Sequence, residues 1–134
     1  MNPTLLIIGA LLLGVAGVIH VLIFVLESVL WSRESVWRLF GLRTAAGAAI
    51  VRPMAFNQGF YNLFLAVGIT VGLVLILVTE AYQAGIALLL ASGSSMVLAA
   101  MVLIVSSPKL ARAAAIQGTA PLVGVALVTA SLVS

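Results

Sequence analysis

Apolar residues fill four long stretches of this chain, and short polar segments separate them. Each stretch is long enough to cross a membrane as an α-helix, since about 20 predominantly apolar residues suffice. The pattern predicts an all-α fold, a four-transmembrane-helix bundle built as one integral membrane domain over residues 1–134. We predict spans at about 4–31, 53–79, 83–105 and 108–133, with both ends of each span defined by polar residues.

Prolines and small polar residues set the predicted boundaries. Pro53 suits the first turn of the second span, and Ser107 with Pro108 suits the cap and first position of the fourth. Thr79 and Glu80 fit a tight connection that caps the third span and places an acidic residue near its N-terminus.

The segment 32–52 interleaves arginines with large apolar residues. This mixture is typical of a short amphipathic helix that lies on the membrane surface. A solvated loop with scattered apolar residues is the alternative interpretation.

Composition agrees with a membrane protein and excludes several kinds of site. The chain is 64% hydrophobic and 7% charged, whereas soluble domains carry roughly a quarter charged residues. It has no cysteine, so disulfides and thiolate metal sites are excluded. One histidine and few acids form no metal motif, and no glycine-rich phosphate loop is present. We therefore expect no metal and no cofactor.

The six basic residues predict the orientation. They lie in two of the inter-span regions, and these six are Arg33, Arg38, Arg43, Arg52, Lys109 and Arg112. The positive-inside rule places both regions in the cytoplasm and both termini outside it. Basic residues beside apolar spans indicate topology and not binding of nucleic acid. Because residues 1–4 lack a basic region, we also expect the first span to stay in the mature protein.

The first span contains two ionisable residues, His20 and Glu27. Seven residues bring an α-helix back to within about 20° of its starting direction, so both side chains share one face. Phe24 and Trp31 continue this face. An ionisable group inside a bilayer is costly, and it needs a partner or a function.

Further polar residues open the second and fourth spans. Those at 57, 58, 61 and 62 cover an arc of about 140° on their helix, so we expect them to face a common interior. Pro121 removes the helical partner of the Gln117 carbonyl and adds an acceptor. Together with Glu27, these residues form a predicted polar cluster at one depth in the cytoplasmic half, and His20 lies nearer the midplane. The ligand-binding or proton-handling candidates are His20, Glu27, Trp31, Asn57, Gln58, Tyr61, Asn62 and Gln117.

The order of these residues resembles the DUF1304 family. The resemblance rests on His20, on Leu26-Glu27 with Trp31, on Phe40-Gly41-Leu42, on the run Asn-Gln-Gly-Phe-Tyr-Asn-Leu-Phe-Leu-Ala at 57–66, and on the late Gln117–Gly118 pair. It covers essentially the whole chain. It implies a small bacterial integral membrane protein with four helices, and hence a location in the inner (plasma) membrane. Because the family's function is unknown, the resemblance implies no reaction and no catalytic residue.

Several functions remain open at this point. The cluster is either structural, fixing the bundle by hydrogen bonds of roughly 0.6–2 kcal/mol each, or it lines a ligand site or proton path. The first functional hypothesis is a pocket for a small lipophilic or amphipathic ligand. The second is proton-coupled export of small molecules. The third is a structural or accessory subunit, in which Gly68 and Gly72 contact a partner; membrane lipid and a second copy of the chain are the other partners considered.

Overall fold

The structure is a computed structural model that describes residues 1–134. It contains helices and no strand. The elements are α1 (Pro3–Phe24), a π-helical segment (Val25–Val29) that continues α1, α2 (Glu34–Leu39), α3 (Ala45–Val78), α4 (Tyr82–Ser106), a 3-10 turn (Pro108–Leu110) and α5 (Ala111–Val133). Four helical stretches are long and apolar enough to cross a membrane. The predicted all-α fold with four spans is confirmed.

The second span begins earlier than predicted. Helix α3 starts at Ala45, and Pro53 lies inside it. The Thr44 side chain caps the helix by accepting a 3.1 Å hydrogen bond from the Gly47 amide. The predicted start at residue 53 is wrong. Pro53 leaves the Ala49 carbonyl without its helical donor, but the alanines before it are strong helix formers behind a good cap and continue the helix.

The four long helices form a ring in which each packs against two neighbours. The order around the ring is α1, α3, α4 and α5, and α5 closes the ring against α1. Because short connections join successive spans, every neighbouring pair is antiparallel. The main core lies at the centre of this ring, and its fully or nearly buried members are Leu6, Leu13, Ala16, Ile69, Ile86, Leu89, Met96 and Val128.

Glycines allow the helices to approach closely. A Cβ built on Gly72 would lie 2.9 Å from the Gly85 carbonyl oxygen, and one on Gly85 would lie 2.7 Å from the Gly72 carbonyl oxygen. A Cβ on Gly68 would overlap the hydroxyl of Ser92. The face formed by Gly68 and Gly72 therefore packs against α4. The expectation that this face contacts a partner protein is wrong, since α4 of the chain itself covers it.

A second, smaller core lies at the end of the bundle that carries the basic residues, which we call the basic end (segments 30–44 and 107–112). It contains Trp31, Val36, Trp37, Ala48 and Ala55. Helix α2 is the predicted short amphipathic helix, with an exposed 2.6 Å ion pair between Arg38 and Glu34. Val36 and Trp37 are buried against the chain itself, whereas Leu39 is exposed. One face of this helix therefore packs where the first span ends and α3 begins.

Candidate functional site

Glu27 lies in the π-helical segment at the end of the first span. The segment is marked by a 2.9 Å hydrogen bond from the Leu30 amide to the Val25 carbonyl, five residues back. Isolated π turns are rare and occur frequently at functional sites. The side chain of Glu27 is buried, with 8% of the residue exposed. The carboxyl group is thus held inside the protein by an unusual piece of backbone that the apolar pattern did not predict.

Asn62 on α3 is the hydrogen-bond partner of Glu27. Its Nδ2 donates to Glu27 Oε2 at 3.0 Å and to the Gln58 carbonyl at 3.0 Å. The second bond orients the amide for the first. The only ion pair in the chain joins Arg38 to Glu34, so Glu27 has no basic partner.

Gly59 allows the π-helical segment to reach α3. A Cβ at this position would overlap Ser28 Oγ, and it would lie 3.2 Å from both Glu27 Cβ and the Phe24 carbonyl oxygen. Ser28 Oγ in turn donates a 2.9 Å hydrogen bond to the Phe56 carbonyl. Sequence reasoning missed Gly59 and Ser28 as parts of the site. The available signal was a glycine inside a polar helical run, which often marks a close backbone approach.

His20 is buried two helical turns deeper, with 1% of the residue exposed. Its Nδ1 lies 2.9 Å from the Ala16 carbonyl oxygen. Because a carbonyl only accepts, Nδ1 carries the proton, and Nε2 of the neutral ring is then an acceptor. Nε2 makes no hydrogen bond within the chain, and no hydrogen bond joins His20 to Glu27.

Three polar atoms of these residues lack a partner within the chain. They are Glu27 Oε1, Asn62 Oδ1 and His20 Nε2. No fully buried side-chain nitrogen or oxygen is without a hydrogen bond. None of the three atoms is therefore sealed inside the protein, and each borders a space that a water molecule can enter.

Three of the predicted site residues are not buried. Asn57, Gln58 and Tyr61 are exposed, Tyr61 by 60%. Only Asn62 of the four polar residues is buried, because it shares with Gly59 the face of α3 that packs on the first span. The expectation that the four residues share a buried interior is met by Asn62 alone.

Exposure changes along the contact between α3 and α4. Tyr61 lies seven residues before Gly68 and so on the same stripe of α3. Ala99 lies seven residues after Ser92 on the facing stripe of α4. Gly68 and Ser92 are in close contact, yet Tyr61 and Ala99 are exposed. The contact between the two helices is therefore close at Gly68 and Ser92, and the side chains one stretch nearer the basic end are exposed.

Gln117 lies at a different depth from Glu27. On α5, Gly124 contacts Leu13 of α1, and Gln117 lies seven residues before Gly124. In an antiparallel pair this brings Gln117 level with the residue seven after Leu13, which is His20. The prediction that Gln117 shares the depth of Glu27 is wrong. Its side chain is half-buried and makes no hydrogen bond within the chain.

Trp31 has a structural role that the sequence did not predict. Its Nε1 donates a 3.0 Å hydrogen bond to the Ala48 carbonyl, and its ring lies 5.3 Å from that of Phe40. Trp31 thereby ties the end of the first span to the start of α3. Its contribution to ligand binding stays a prediction.

The comparisons with known proteins agree with the predicted resemblance. The sequence profile of a family described as "Protein of unknown function (DUF1304)" matches residues 14–129, which is most of the chain. Neither a curated protein nor a solved structure matches the chain.

Proposed function

The chain belongs to the DUF1304 family, and we propose that it binds a small amphipathic molecule within its helix bundle, with Glu27 and Asn62 receiving the polar head. The observation that carries this proposal is a buried carboxyl group in a membrane span with one oxygen bonded and the other free. Ionisable residues inside a span generally mark a ligand, ion or proton site.

A purely structural role for Glu27 accounts less well for its surroundings. An interhelical hydrogen bond in a membrane protein contributes roughly 0.6–2 kcal/mol. Burying a carboxylate without a charged partner costs several kcal/mol. The single bond to Asn62 does not offset that cost, and no basic residue supplies the rest. Protonation of Glu27 removes this cost, and so does a cationic or donating partner from outside the chain, which is the case we propose.

Exposed side chains on α3 mark the route that we propose for such a molecule. Tyr61 and Gln58 lie exposed on the α4-facing side of α3 at the level of the Glu27–Asn62 pair. An apolar tail would remain in the bilayer while the head passes between the two helices. If the basic end faces the cytoplasm, as the positive-inside rule predicts, entry is from the inner leaflet of the plasma membrane.

Co-purification tests this proposal. The wild-type protein, Glu27→Gln and the matched control Glu80→Gln, which alters an exposed residue at the opposite end of the bundle, are compared by native mass spectrometry from a mild detergent. We expect a bound small lipophilic molecule in the wild type and the control, and its loss from Glu27→Gln. Equal occupancy in all three proteins, or none in any, would contradict the proposal.

One observation favours a second candidate, a subunit that assembles with a partner or with a second copy. Asn57, Gln58 and Tyr61 are polar yet exposed on a helix long enough to span the membrane, and polar groups facing lipid are costly. A neighbouring chain on this side of α3 would satisfy them. Mass measurement in nanodiscs tests this: the assembly predicts a dimer or larger species, and a monomer contradicts it.

Proton-coupled export is the alternative use of Glu27, since a transporter would also need an ionisable residue within the span. It differs from simple binding in one measurable respect. Uptake of a bound amphiphile into proteoliposomes would respond to an imposed pH gradient if the protein exports it. Uptake that ignores the gradient would argue against this use.

A further inference from the structure

The three free atoms at the site share one chemical property. Oε1 of an ionised Glu27 and Oδ1 of Asn62 accept hydrogen bonds. Two turns deeper, Nε2 of a neutral His20 also accepts, because Nδ1 carries the proton. The Asn62 side-chain nitrogen already donates two hydrogen bonds, one to Glu27 and one to the Gln58 carbonyl. The site therefore presents free hydrogen-bond acceptors, and a ligand that complements it must supply hydrogen-bond donors.

The absence of a basic partner for Glu27 restricts the class of head group further. Glu27 has no basic partner, since the only ion pair in the chain joins Arg38 to Glu34. All six basic residues of the chain are exposed. An anionic head, such as a carboxylate or phosphate, would meet the Glu27 carboxylate without a cation or a free donor to stabilise it. A cationic head supplies the missing charge.

Resting on the proposed function, we infer that the head group of the ligand is a protonated amine with N–H donors, so that the ligand is a lipophilic amine. An alkylammonium carries three N–H donors and one positive charge. It can donate to Glu27 Oε1 and to further acceptors at once. A quaternary ammonium has the charge without the donors, and an alcohol has a donor without the charge.

A series of head groups on one alkyl chain tests the inference. The full-length protein in nanodiscs is titrated with dodecylammonium, dodecyltrimethylammonium, dodecanol and dodecanoate, with empty nanodiscs subtracted. We expect saturable binding that is tightest for dodecylammonium, by about tenfold over the quaternary ammonium and the alcohol, because a charge-assisted hydrogen bond is worth about that factor. We expect dodecanoate to show no saturable binding.

Variants then assign the preference to Glu27. Glu27→Gln should weaken dodecylammonium binding by about tenfold, while Glu80→Gln leaves it unchanged. Glu27→Asp retains the charge and should retain the preference for the amine, which separates loss of charge from loss of folding. Circular dichroism and size-exclusion profiles that match the wild type establish that each variant is folded.

The outcomes separate the two proposals. Saturable, Glu27-dependent binding with dodecanol, the quaternary ammonium or dodecanoate equal to the amine would overturn the inference and leave the proposed function standing. Amine binding that Glu27→Gln does not weaken would also overturn the inference. If none of the four amphiphiles binds saturably, both the inference and the proposed function fail.

Discussion

Gly59 of α3 lies directly against Ser28 of the π-helical segment, so closely that a side chain at residue 59 would overlap the serine hydroxyl. The same hydroxyl bonds the Phe56 carbonyl of α3 at 2.9 Å. These contacts fix the depth and direction from which Glu27 reaches Asn62. The geometry of the candidate site thus depends on a position that carries no side chain.

Gly59→Ala should destabilise the protein by about 1–3 kcal/mol, since the added methyl group displaces Ser28 Oγ from its bond to the Phe56 carbonyl and crowds the Phe24 carbonyl oxygen. The matched control is Gly14→Ala, whose Cβ would meet only Leu73 Cδ1 at an ordinary 3.6 Å. The control should be neutral, or stabilising by about 0.5–1 kcal/mol through helix propensity. Free energies of unfolding in mixed detergent measure both. Equal effects of the two substitutions would contradict the close approach at Gly59.

The Glu27–Asn62 hydrogen bond should appear as an energetic coupling. In a double-mutant cycle of Glu27→Ala and Asn62→Ala, we expect a coupling free energy of about 0.6–1.7 kcal/mol, the range for interhelical bonds inside membranes. Unfolding titrations of the wild type, both single variants and the double variant provide it. Strict additivity would show that the two side chains do not interact in the folded protein.

Trp31→Phe should cost more stability than Trp37→Phe. Both indoles are buried, with 5% and 6% exposed, but only Trp31 donates a hydrogen bond, to the Ala48 carbonyl at 3.0 Å. The difference should be about 0.5–1.5 kcal/mol, the net value of one such bond. Thermal unfolding of the two variants measures it, and a larger loss at Trp37 would be the opposite result.

The orientation is testable because the chain has no cysteine of its own. Ser32→Cys and Glu80→Cys each add one thiol at an exposed position, on opposite ends of the bundle. The positive-inside rule predicts that a membrane-impermeant maleimide labels Glu80→Cys in intact cells and Ser32→Cys only after permeabilisation. The reverse pattern would place the basic end outside the cytoplasm.

The spans were predictable because hydrophobic length alone nearly determines a membrane helix. The fourth span, for example, was placed at 108–133 and is found at Pro108–Val133. The start of the second span was not predictable. Pro53 is typical of a first helical position, and the alanines before it add little to the hydrophobic pattern. Their helix depends on the Thr44 cap and on packing against Trp31.

The candidate site was predictable only in part. Burial of His20 and Glu27 followed from the cost of ionisable groups in a bilayer. The exposure of Asn57, Gln58 and Tyr61 did not follow from the sequence, because the face of a helix that becomes buried depends on the helices that pack against it. The π turn at Val25–Val29 has no periodic signature, since it arises from the fit of one helix against another.

The carboxyl carbons of the acidic residues offer the most direct test of a ligand at Glu27. The chain has three acidic residues, Glu27, Glu34 and Glu80, so a protein labelled with ¹³C at the glutamate carboxyl gives three side-chain signals, and Glu27→Gln identifies one. During titration with dodecylammonium at fixed pH, we predict a saturable shift of the Glu27 signal while the other two stay in place. An unmoved Glu27 signal, or equal shifts of all three, would contradict the proposal that Glu27 receives the ligand.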